Sequence, residues 1–309
     1  MKFWKGFKAL GTDILLLIDC DKKEEADAAI NEAERYIGEF ENRFSRFVKN
    51  NELDGLNNSS GLEVSEEMRS LLIKAGNAYR ETGGIFDPTV LSSLENVGYR
   101  ESFGENKDKA GLSPREIQEI FFKREKFDKL QVAGDGTVKK PKDLRVEFGG
   151  IGKGYAVDLI ADKFREKFEN FWISAGGDIF ISGKDNGVNW KIGVQHPAET
   201  DKDVAEIELK NEKLCLATSG IVKRRGGEGG FEWHHIIDPR TGLPAENEIL
   251  SVTAIAPSVL LADVYAKTVL ILGVEAGLEF INKQEGSDCL IITKRLEIIL
   301  SDKMKQYLA

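Results

Sequence analysis

Only three cysteines occur among the 309 residues, Cys20, Cys215 and Cys289, and no two of them form a C-x-x-C pair. That excludes a disulfide framework or a thiolate zinc site as the basis of the fold, and it fits buried thiols in a reducing compartment. H-E-x-x-H is missing, which removes the zinc-protease pattern, and G-x-S-x-G is missing, which removes the elbow that exposes a nucleophilic serine. No window of eighteen apolar residues exists, so the sequence contains no helical membrane span. The first apolar segment, Ile14 to Ile18, is short and ends at Asp19. It reads as a strand rather than a signal peptide, and a cytoplasmic setting is the expectation. Positive charge is in deficit: 43 Lys and Arg against 52 Asp and Glu give a net charge of −9. That balance argues against general binding to nucleic acid or anionic membrane, although Lys223, Arg224 and Arg225 make a local basic cluster.

What the chain does have is apolar content, 41%, enough for a sizeable core in one large or two modest domains. Residues 8–18 read as one buried strand. Lys23 to Phe44 reads as an amphipathic helix with Ala26, Ile30, Ala33, Ile37, Phe40 and Phe44 on one face. A helix from Ser65 to Glu81 stops at Gly83-Gly84, and Ser113-Pro114-Arg115-Glu116 writes a capping box. Between them, residues 98–111 read as a surface loop. Asp135-Gly136 marks a hairpin, residues 153–168 a helix, and short β-like runs fill 171–255. Ser258 caps a helix through Leu272, and residues 289–300 close the chain as a hairpin. The class is α+β, with no repeat and no Pro-rich linker.

Between a strand-like and a helix-like run stands GGIGKGYAVD, residues 149–158. Glycines before a helix let an anion approach unpaired N–H groups and the positive end of the helix dipole, so the segment reads as a phosphate cradle. It matches neither common fingerprint. A P-loop needs glycine where Glu147 stands and Ser or Thr where Gly154 stands, and neither G-x-G-x-x-G register ends on glycine. In HHIIDPRTG, residues 234–242, a histidine with a carboxylate nearby can act as a general base, the acid fixing the tautomer; alternatively the histidines satisfy buried hydrogen bonds. Asp263 and Lys267 share a helix face four residues apart, as a metal-site edge or as an ordinary ion pair.

Taken in order, Leu10-Gly11-Thr12, Phe86-Asp87-Pro88-Thr89, residues 149–158, Ala175-Gly176-Gly177-Asp178, Ala217-Thr218-Ser219-Gly220, residues 234–242 and Ala262-Asp263 resemble the ApbE family of flavin transferases. The resemblance runs from about residue 8 to 300. It implies one domain over 1–309 with mixed or antiparallel sheets, packed helices and two closely associated lobes, about 1–145 and 146–309. It also implies transfer of FMN from FAD to a Thr or Ser hydroxyl of an acceptor protein, with release of AMP. Hydrolysis of FAD to FMN and AMP, or silent flavin binding, are the alternatives.

Carried over residue by residue, the resemblance puts FAD contacts at Leu10, Phe47, Ile85, Phe86, Asp87, Glu147, Lys153 and Ile237. Lys153 would neutralise pyrophosphate. It makes His235 the catalytic base and Asp238 its partner in H-x-x-D. The family's Mg2+ site maps to the Gly150 carbonyl, Asp263 and the position of Lys267. There the chain departs from the family: Lys267 stands where a threonine ligand belongs, and a charged ammonium cannot ligate a cation. Thr268 is turned about 100° away around the helix. Ile221 is a second departure, at a position that is often acidic.

Overall fold

The expected strand over residues 8–18 is a hairpin. In the structure, a computed structural model that describes residues 1–101, 111–199, 201–228 and 231–309, strands Lys2–Ala9 and Thr12–Asp19 pair antiparallel around Leu10-Gly11. Both turn residues have positive φ, 55° and 65°, the two-residue geometry whose twist suits a hairpin. Leucine rarely adopts that conformation, so the sequence carried no turn signal there. The loop expected over 98–111 lies largely outside the described residues; at its start, Gly98 at φ 116° ends the helix Leu91–Val97.

Contacts divide the chain into two compact units, Met1–Glu39 with Lys153–Gly220 and Glu248–Ala309, and Phe40–Gly152 with Ile221–Asn247. The division is therefore interleaved, and not a single cut near residue 145.

The first unit is built on an eight-stranded antiparallel sheet. The hairpin supplies its first two strands, followed in spatial order by Asn170–Ala175, Asp178–Ser182, Lys213–Gly220, Ile249–Ile255, Asp288–Thr293 and Ile298–Leu300. Alternation along the strands separates two cores. Ile14, Leu16, Ile18, Phe171, Ile173 and Phe180 face the helices, packing on Ala26, Ile30, Ala33 and Ile37 of helix Lys23–Phe44 and on Val157, Ile160 and Phe164 of helix Gly152–Arg165. Ile179, Ile181, Leu214, Leu216, Leu290 and Ile292 face the other way, onto Ile192, Val194 and Ile207 of a separate hairpin. Each fully buried aliphatic contributes about 1.5–3 kcal/mol.

The second unit holds helices Glu52–Asn57, Glu66–Glu81, Leu91–Val97 and Pro114–Phe121 with two small sheets. Its expected signals appear as read. Ser65 accepts from Met68 N–H, Ser113 and Glu116 close the capping box behind Pro114, and Gly136 turns a hairpin at φ 88°.

Candidate active site

Part of the glycine loop's backbone is bonded within the loop itself. Glu147 Oε2 accepts from Gly149 N–H at 2.8 Å, and the N–H groups of Ile151 and Gly152 both donate to the Phe148 carbonyl. Three of the loop's amides, those of Gly149, Ile151 and Gly152, are thus already bonded, one of them to a carboxylate. The loop's glycines also serve close packing. A Cβ on Gly154 would lie 2.7 Å from the Leu260 backbone, which only glycine tolerates. One turn later Asp158 accepts from Val259 N–H at 2.9 Å and Leu260 N–H at 3.0 Å, joining Ser258 in capping helix Val259–Leu272. GGIGKGYAVD thus fastens the helix that carries Lys153 to the start of the helix that carries Asp263.

Those two residues meet. Lys153 Nζ lies 3.4 Å from Asp263 Oδ2 and 2.6 Å from Asp178 Oδ2, and all three side chains are largely buried. Asp178 belongs to the motif 175–178, but sequence reasoning gave it no role. Its signal was an acid set at the start of a buried strand behind a tight turn: Gly176 and Gly177 have φ of 64° and 103°, and a Cβ on Gly176 would strike Thr12 Oγ1. Burial first, and then the neighbouring Asp263 charge, raise the Asp178 pKa despite the Lys153 ammonium. Asp263 is therefore paired with Lys153, across helices, rather than explained by its own helix. Thr268, fully buried, donates to the Val264 carbonyl at 2.7 Å and is spent on its own backbone. Lys267 is half-buried on that helix, and Gly150 is buried in the loop before the other. Among the described residues no group of three or more His, Cys, Asp or Glu is gathered as a metal site. Two buried carboxyl groups facing one ammonium nonetheless offer oxygen donors, and that donor chemistry suits a hard cation.

In the second unit the two histidines divide their tasks. His234 accepts from Ile236 N–H at Nδ1, so its Nε2 carries the proton to the Ala245 carbonyl, 3.0 Å away; this is a structural histidine. His235 stands edge-on to Tyr99, with ring centroids 6.3 Å apart, and its Nδ1 is buried. Tyr99 also meets Phe47 and Trp233, while the Arg46 guanidinium lies 4.2 Å over Phe47 and 4.5 Å over Tyr99. Burial lowers the Arg46 pKa, an effect that the Glu147 charge opposes.

The expected pairing of Asp238 with His235 is not what its bonds make. Both carboxylate oxygens bind Arg240, through Nε and Nη2, and the Arg240 N–H adds a fourth contact. A guanidinium fork two residues away outcompetes a ring for a carboxylate because it satisfies both oxygens at once. Asp87 is similarly engaged, accepting from Thr89 N–H, Thr89 Oγ1 and Arg124 Nη2, the last at 2.6 Å. Ile237 and Phe86 are buried in their unit's interior, whereas Ile85, Leu10 and Phe47 remain partly exposed.

Two solved structures superpose over the whole chain: an ApbE protein from Thermotoga maritima, TM-score 0.88 at 28% identity and full coverage of both chains, and the flavin transferase ApbE from Vibrio cholerae, TM-score 0.84 at 25% identity, covering 100% of this chain and 99% of that one. In sequence the chain is similar to FAD:protein FMN transferases of Vibrio cholerae, 29% identical over 80% of this chain and 74% of that protein, and of Haemophilus influenzae, 25% identical over 92% and 85%. The fold is thus the one shared by solved flavin transferases. The ApbE family model matches residues 10–291, and the chain belongs to that family.

Proposed function

We propose that this protein transfers FMN from FAD onto a Thr or Ser hydroxyl of an acceptor protein. The observation that carries the reading is His235. Its neighbour His234 is tied to backbone at both ring nitrogens, whereas His235 is half-buried with its Nδ1 turned inward, so His235 is the histidine of the segment assigned to the hydroxyl proton. In the reaction, Nε2 takes the hydroxyl proton as that oxygen bonds to the FMN phosphorus, the bridging P–O bond breaks, and AMP departs with the bridging oxygen. Tyr99 stands against the histidine and is itself backed by Trp233, and the half-exposed Phe47 ring offers a face for a flat ring system.

Phosphoryl transfer is chiefly positioning and neutralisation of charge, and Lys153, held between Asp178 and Asp263, is a buried cation suited to it. Mg2+ would be held at Asp263, and when bound it would offset the pyrophosphate charge. Lys267, in place of a threonine ligand, favours a second version in which its own charge does part of that work.

The test incubates the protein with FAD, an acceptor and either Mg2+ or chelator, and measures AMP and acceptor mass. Transfer is expected, and His235→Ala should lower it at least 100-fold while FAD binding persists. AMP and free FMN without acceptor labelling would replace transfer by hydrolysis. Unchanged turnover in His235→Ala would remove the histidine from the mechanism, and chelator-insensitive transfer would favour the Lys267 version.

A further inference from the structure

Lys153, Asp178 and Asp263 are 15, 2 and 7% exposed at their side chains, and their contacts of 2.6 and 3.4 Å put one ammonium between two carboxylates. With both carboxyls ionised the sum is −1 in a place nearly closed to water. Buried charge of that kind is costly unless a further positive charge balances it. Asp178 opens a strand, and Asp263 lies on a helix that Gly154 and Asp158 fasten to the helix of Lys153, so both carboxylates meet the same ammonium. That ammonium is a stand-in ion.

The geometry points to a divalent-cation site in which Asp178 is a second carboxylate beside Asp263, and in which Lys153 is the resident counter-ion that the metal displaces. Small divalent cations of this type take oxygen ligands at about 2.0–2.1 Å and are commonly held by one or two carboxylates, with water and phosphate oxygens completing the shell. An ammonium 2.6 Å from one of those carboxylates fills the same space and repels the ion, so the two compete. Displacement has a use: it turns the Lys153 charge from the carboxylates toward an arriving anion. This inference rests on the proposed reaction only for the identity of that anion.

Mn2+ binding to the full chain without flavin, followed by the electron paramagnetic resonance of the free ion, tests the competition in wild type, Asp178→Asn, Asp263→Asn and Lys153→Met. Melting curves with and without Mn2+ check each variant's fold. Expected are at least tenfold weaker binding in both carboxylate variants and at least fivefold tighter binding in Lys153→Met, whose melting temperature Mn2+ should raise further than that of wild type. Wild-type affinity in Asp178→Asn overturns the second carboxylate, and Asp178→Glu, expected to keep binding, serves if the amide does not fold. Unchanged or weaker binding in Lys153→Met overturns the competition. Loss of flavin transfer with this pattern intact would sink the proposed reaction and leave the cation site standing; the reverse would do the opposite.

Discussion

Glu147 and Asp238 show how local hydrogen bonds redirect a residue that a motif had cast for something else. Both were legible as acids in the right segment, but which donor each would find depends on turn geometry two residues away, and local sequence does not encode that choice strongly. Asp178 was hidden for the converse reason, since only the folded sheet brings it to Lys153. The cysteines are simpler. Burial pushes the thiols of Cys215 and Cys289 up to about 12, so both stay protonated and unreactive at neutral pH, while Cys20 is partly exposed and donates to the Lys22 carbonyl. Titration with a disulfide reagent at pH 8 should therefore modify one thiol per native chain and three in denaturant. Two or more fast-reacting native thiols would contradict the buried placement.

At the scale of elements, capping residues and periodic apolar faces made the helices readable, because those signals are local. The first hairpin was not, because its turn uses Leu10 against the usual preference. The fastening between the glycine-loop helix and helix Val259–Leu272 was also out of reach, since its partners lie 101 residues apart in the chain. Its strength can be measured. Gly154→Ala should cost about 1–3 kcal/mol by forcing the helices apart, and Asp158→Ala about 1–2 kcal/mol by uncapping two amides. Denaturant midpoints read both, and a loss below about 0.3 kcal/mol in each variant would mean that the helices are held elsewhere.

For the whole molecule, the sequence indicated the α+β class and the family, because ordered motifs survive divergence better than any single contact. It did not indicate that each unit is assembled from separated stretches of chain. A fragment ending at residue 145 carries two strands of the eight-stranded sheet, so far-UV circular dichroism and thermal melting should show no cooperative unfolding. A sharp transition in that fragment would refute the interleaved assembly. The same interleaving sets a clock on biosynthesis. Strand Thr12–Asp19 finds its inner neighbour only in Asn170–Ala175, with Asp19 opposite Asn170, so 151 further residues must be made before that edge is covered. At about 5–20 residues per second, the nascent hairpin shows an open, apolar strand edge for roughly 8–30 s. Those seconds, more than any property of the finished protein, are when this chain is exposed to mispairing and most in need of a chaperone.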